Sequence, residues 1–305
     1  MAEITAKTLR KIFVIQVFSR RIILSGLASL ALTGCAAKQS PIAAAQINAQ
    51  RSNEVELTQV NYQVITIGGL GQAVRAALAE LPDIAAFGEL HELRTPKPKI
   101  ISTTQYFARE VIPVLKECGY LHLVLEHLPS GNDAAAEIEN YRLTGQLGPY
   151  LVKELENAPD REGIIEMMRQ AKENGIALYG AHAEGTPGIP LDLDDNETGP
   201  IIKKNMQKKL EELRNSGLKV ASFGGTIHNK INPGLSEDWQ SSVSDLSLNN
   251  RVKEIDIYPA DYLAAYPGDP RSYDLPGWQQ LVPGKGVKMI NFPSGRSVLI
   301  LPYQK

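Results

Sequence analysis

Leu121-His122-Leu123-Val124-Leu125-Glu126-His127 places aliphatic residues on both faces of an extended segment, then stops at an acid and an imidazole. A strand that is apolar on both faces belongs to a mostly parallel sheet covered by helices on each side. The flanking sequence has the matching alternation. Upstream, short apolar runs at 64–67 and 84–87 alternate with helical patterns at 72–81 and within 98–117. Downstream come helical patterns at 133–143, 148–156 and 161–173, a strand at 176–179, a polar turn-rich loop at 186–199, a helix at 200–215 and a strand at 218–223. Strands separated by helices of this length predict an α/β fold with right-handed crossovers and a mostly parallel sheet. The remaining apolar runs, at 252–257, 287–292 and 297–301, are separated by Pro/Gly-rich connections and read as edge strands from the C-terminal segment. One α/β domain over 61–305 accommodates all of these elements.

The chain has 305 residues, 43% hydrophobic and 22% charged, which is too apolar for intrinsic disorder. Its two cysteines cannot form a four-thiolate zinc site, and a formal charge of −2 provides no basic footprint for nucleic acid.

The first 34 residues read as an address rather than as part of the fold. Lys7, Arg10, Lys11, Arg20 and Arg21 precede a short apolar run at 22–32, too short to span a bilayer comfortably. Leu32-Thr33-Gly34-Cys35 resembles the bacterial lipobox, in which the cysteine is lipidated and becomes the first mature residue. Ser19-Arg20-Arg21-Ile22 also resembles a twin-arginine signal. Removing residues 1–34 takes away five basic residues and one acidic one, leaving 27 against 33 and a formal charge of −6. Residues 35–60 are polar and unpatterned, as in a flexible tether. The expected location is therefore the cell envelope, with the membrane as partner through lipidated Cys35. The other thiol, Cys118, reads as packing.

Four of the five histidines stand at or just beyond the carboxyl end of an expected strand. They occur in Gly88-Glu89-Leu90-His91, Leu125-Glu126-His127, Gly180-Ala181-His182-Ala183-Glu184 and Gly224-Gly225-Thr226-Ile227-His228. Parallel strands deliver their carboxyl ends to one edge, the edge at which open α/β sheets bind ligands. Glu89 and His91 are two apart, as are His182 and Glu184, so an extended backbone turns each pair to one side. Glu126 and His127 are adjacent and diverge, and Glu126 is taken as the inward one. His122 begins its strand at the opposite edge and is assigned to structure. Imidazole and carboxylate ligands with one open position are what divalent-metal hydrolysis requires. The candidate groups for such a site are His91, His182 and His228 with Glu89, Glu126 and Glu184.

Gly88-Glu89-Leu90-His91, Glu126 and Gly225-Thr226-Ile227-His228 together resemble the superfamily of erythromycin esterases, ChaN-like haem-uptake lipoproteins and Tiki/TraB proteins. The resemblance covers roughly residues 84–228. It implies an α/β fold with a Glu/His site at the sheet rim, serving either the binding of haem or metal-dependent hydrolysis of a small-molecule or peptide substrate, with His91, Glu126, His182 and His228 as ligands, Glu89 as general base and Glu184 as an orienting group. The sequence lacks a second His shortly after His91, where Arg94-Thr95-Pro96-Lys97 stands, and it lacks paired late histidines, having Asn229 and Lys230 after His228.

A third reading comes from Ile67-Gly68-Gly69-Leu70-Gly71, which places a glycine-rich turn between a strand and a helix, with Glu89 twenty residues after Gly69. An exported NAD(P)-dependent oxidoreductase would use such a turn to cradle pyrophosphate, although Val74 stands where a third small residue is wanted.

Overall fold

The computed structural model describes residues 62–89, 101–156, 158, 160–182, 195–225, 241–265, 275 and 278–304. The expected leader and tether at 1–60, with Cys35, lie outside these residues, as do His91, Glu184 and His228. Among the described residues, no helix is long and apolar enough to cross a membrane.

In chain order the principal elements are β1 (Gln63–Ile67), α1 (Leu70–Ala77), β2 (Ile84–Glu89), α2 (Thr103–Tyr106), a π turn (Phe107–Val111), α3 (Ile112–Glu117) and β3 (His122–Pro129). They continue with α4 (Asn132–Thr144), α5 (Pro149–Glu156), α6 (Arg161–Asn174), β4 (Ala177–His182), α7 (Asp195–Asn215) and β5 (Val220–Gly225). The chain ends in β6 (Val252–Pro259), α8 (Ala260–Ala265), β7 (Val287–Asn291) and β8 (Ser297–Leu301). The eight strands form one sheet in the order β1-β7-β8-β6-β2-β5-β3-β4. β7 runs antiparallel to both of its neighbours, β1 and β8, while the other pairings are parallel. The sheet is therefore mostly parallel, as expected, with its antiparallel pairs at one side.

The C-terminal strands join the same sheet but are not its edges. β6 lies between β2 and β8, and the outermost strands are β1 and β4. All six residues of β2 are buried, as are all five of β8. Strands that apolar on both faces are stable only in the interior of the sheet.

Both faces are covered. On one, Ala85, Phe87, Leu123, Leu125, Ala221 and Phe223 pack against α1 to α6. Phe107 from the π turn stacks on Phe223 at 4.0 Å between centroids and meets Phe87 edge-on at 5.2 Å. On the other face, Met206 and Leu210 of α7 pack on Ile84, Ala86, Val124 and Val220. Helix ends are set locally. Asp160 caps α6 by accepting from the Gly163 N–H at 3.1 Å, and Gly175 closes the same helix with a left-handed φ of 70° that a β-carbon would strain. α7 begins at Asp195, within the segment read as loop, so Pro200 falls inside the helix.

Candidate active site at the sheet rim

β2, β5, β3 and β4 are consecutive parallel neighbours, so Glu89, Gly225, the Glu126-His127 pair and His182 all reach the same rim. Glu89 ends β2 on the face that carries Ala85 and Phe87, and it is only 3% exposed. A carboxylate this buried requires partners. His127 provides one, with Nε2 2.6 Å from Glu89 Oε1. The Thr104 hydroxyl donates to Oε2 at 3.4 Å. Thr104 is fixed at the start of α2, where the Ser102 side chain accepts from the Gln105 N–H at 3.0 Å. The His127 ring lies over Phe223, 5.5 Å between centroids and 26° between planes.

Glu126 takes the other face. It is 6% exposed, and its Oε2 accepts from the Gly225 N–H at 2.6 Å. Gly225 is the register partner of Glu89. Glu89 and Glu126 thus approach the end of β5 from its two sides. The pairing of β3 with β4 shifts register between Leu125 and Pro129, the stretch that carries both Glu126 and His127. Such irregularities re-aim side chains beside functional sites. The two residues diverge as expected, but His127 does not go to solvent. It is the residue that meets Glu89.

His182 ends β4, in register with Pro129. Its carbonyl accepts from both the N–H (2.9 Å) and the hydroxyl (2.6 Å) of Ser130. The Asn205 amide of α7 donates to Ser130 Oγ and to the Ala181 carbonyl, each at 3.1 Å. The backbone of His182 is therefore held from two directions. Among the described residues, no group of three His, Cys, Asp or Glu is placed to hold a metal ion. Two of the four expected ligands, His91 and His228, lie outside those residues. The donors present, imidazole nitrogen and carboxylate oxygen, are of the type that suits zinc or iron(II).

The sequence reading did not anticipate a buried ionic group beyond β2. Asp256 on β6 is the register partner of Gly88 and is fully buried. The Arg296 guanidinium lies 2.6 Å from Asp256 and 3.1 Å from Glu254. Neither acid precedes a histidine or closes a recognisable motif, so nothing local marked them.

The glycine-rich turn before α1 is occupied by the protein itself. Glu110, in the π turn, accepts from the N–H groups of Leu70 and Gly71 at 3.1 and 3.4 Å. These are the helix amides a pyrophosphate would need, so the turn is a packing joint capped by a carboxylate and the oxidoreductase reading loses its phosphate site.

No protein-family profile matches the chain, and no curated protein matches it in sequence. Among solved structures, RRSP, a MARTX toxin effector domain from Vibrio vulnificus, is similar at 20% identity and a TM-score of 0.38, over 57% of this chain and 35% of its own. The chain thus spans about a third of that structure. The type III effector HopBA1 is similar at 13% identity and a TM-score of 0.39, over 79% and 97% of the two chains. ChaN of Campylobacter jejuni, a structure with cofacially bound haem, is similar at 13% identity and a TM-score of 0.34, over 60% and 85%. Likenesses this low assign no chemistry, which has to be argued from the side chains at the rim.

Proposed function

We propose that the rim is the active site of a hydrolase in which Glu89 is the general base. The observation that carries this reading is the buried Glu89 carboxylate at a strand terminus with His127 Nε2 2.6 Å away. An ionised carboxylate there would accept from the imidazole in its Nε2–H tautomer, and that is the form that takes a proton from water. His127 also fixes the rotamer of Glu89, and Thr104 bounds the second oxygen. A proton taken from water at this position would be held by Glu89 and returned to the leaving group.

His91, Glu126, His182 and His228 would hold a divalent ion, which when bound supplies a water of lowered pKa. Glu184 would serve as an orienting group of the site. The substrate class is a small molecule or peptide, and the setting is the cell envelope, with the chain anchored through Cys35.

The test uses full-length protein purified from membranes, assayed for metal content and for hydrolysis of p-nitrophenyl esters and peptide amides. The expected result is a stoichiometric divalent metal and turnover that falls at least about 10²-fold in Glu89→Gln. Turnover indifferent to Glu89→Gln would overturn the reading. A Soret band on adding haemin, in protein without turnover, would reassign the rim to haem carriage.

A further inference from the structure

Gly224 is a glycine for a different reason than Gly175. Its backbone lies outside the left-handed region, so conformation alone would permit alanine. Space does not. A β-carbon built on Gly224 would sit 2.3 Å from Glu126 Oε2, 2.8 Å from Glu126 Cβ and 3.3 Å from its carboxyl carbon. Non-bonded carbons settle at roughly 3.5–4 Å, so any side chain at 224 must displace Glu126. Because Glu126 Cβ is among the atoms struck, rotating the carboxylate away would not relieve the clash, and the β3 backbone would have to move as well. Immediately beyond, the Gly225 N–H holds the same Oε2 at 2.6 Å in a buried contact. The Glu126 side chain therefore lies over β5 at Gly224, and its carboxylate is held by the amide of the residue in register with Glu89.

We propose that Gly224 is a positioning residue of the rim. Its missing side chain lets Glu126 fold across the end of β5, where the Gly225 amide fixes the carboxylate beside the Glu89 row. This deepens the hydrolase reading and rests on it for its functional meaning, but the geometric claim is testable without turnover.

The experiment is a double-mutant cycle on the full chain in detergent with Gly224→Ala, Glu126→Gly and the double variant, read by thermal unfolding and by the Gly225 amide resonance in glycine-labelled protein. In the native background Gly224→Ala should lower Tm by roughly 5 °C, as overpacking of a buried contact does. In the Glu126→Gly background, where the atoms struck are gone, the same alanine should cost less than about 1 °C. The Gly225 amide proton should stand downfield in the native protein, as a proton held by a carboxylate oxygen at 2.6 Å does. That signature should disappear in Gly224→Ala while the other glycine resonances hold.

Equal loss of Tm in both backgrounds, or survival of the Gly225 signature in Gly224→Ala, would overturn the proposal. If Gly224→Ala alone fails to fold, a folded double variant supports the proposal and an unfolded one sinks it. Where the native protein hydrolyses an ester, Gly224→Ala should lower kcat about 10²-fold with little change in KM. Strong coupling in a protein without turnover would leave the positioning role standing and remove the hydrolase reading.

Discussion

His122 and His127 lie five residues apart on β3, at opposite ends of the same buried strand, and the protein uses them differently. At the amino end, His122 Nδ1 meets the Tyr179 hydroxyl at 2.9 Å and the two rings stack at 5.9 Å. Its partner is neutral, and burial pushes the imidazole below its ordinary pKa, towards the uncharged form. At the carboxyl end, His127 stacks on Phe223 and faces the buried Glu89 carboxylate. One imidazole is a packing group and the other is half of an acid–imidazole pair. The difference lies in what faces each ring, the Tyr179 hydroxyl from the adjacent β4 or the Glu89 carboxylate from β2, on the far side of β5. Strand placement already sets His122 apart from the rim, but it does not show that His127 rather than Glu126 meets Glu89.

The strongest way to break this contrast is to remove the imidazole from the pair. Side-chain exposure is 13% for His127 and 4% for Glu89, so His127→Leu leaves a desolvated carboxylate with one partner fewer. Losing one member of a buried pair costs about 3 kcal/mol or more, whereas neutralising both costs less than the sum of the single changes. Urea unfolding should show that loss in His127→Leu and a partial recovery in Glu89→Gln/His127→Leu. Strict additivity of the two substitutions would mean that Glu89 does not depend on His127.

The amino end has an acid of its own, and it sharpens the contrast at intermediate size. Asp83, just before β2, accepts from the Arg251 N–H at 3.1 Å and faces the Arg214 guanidinium at 3.3 Å. The Arg251 amide first, then the two guanidiniums, hold its carboxyl below the usual aspartate range against the opposing effect of burial. A carboxylate depressed in the folded state contributes stability above its unfolded pKa of about 3.9 and loses that contribution as pH falls through the lower folded value. Asp83→Asn should therefore cost about 1 kcal/mol at pH 7 and flatten the acid limb of a stability–pH curve below about pH 4. An acid limb unchanged by the substitution would remove Asp83 from the account.

Much of this architecture is legible in the chain because β2, β3 and β5 are short apolar runs that stop at glycine, acid or imidazole, and strand carboxyl ends share an edge by topology. The strand order is not legible. That Val252–Pro259 lies in the middle of the sheet while Gln63–Ile67 lies at its edge depends on pairings across long stretches of chain, which no local period records. The partner of Glu89 was missed for a related reason. Alternation separates Glu126 from His127, but both faces of β3 are apolar, so the period does not say which face meets the rim. The π turn likewise leaves no local mark, although it places Glu110 on the amides of α1 and so decides the meaning of the glycine-rich turn.

The smallest effect belongs to His122, and its sign distinguishes a packing histidine from a paired one. A depressed imidazole pKa means that the unfolded chain binds a proton before the folded one does. Stability is then fully present above the unfolded value near pH 6.5 and declines as pH falls from there through the folded pKa. His122→Gln keeps a hydrogen-bonding group near the Tyr179 hydroxyl and removes the titration. At pH 8 it should change stability by no more than about 0.5 kcal/mol, the scale of a half-exposed substitution. Between pH 6.5 and 5 the variant should lose less stability than the native chain, because one site of unfolded-state proton uptake is gone. If the native chain instead gains stability over that interval and His122→Gln abolishes the gain, His122 carries a charge in the folded state, and the two ends of β3 would no longer differ in kind.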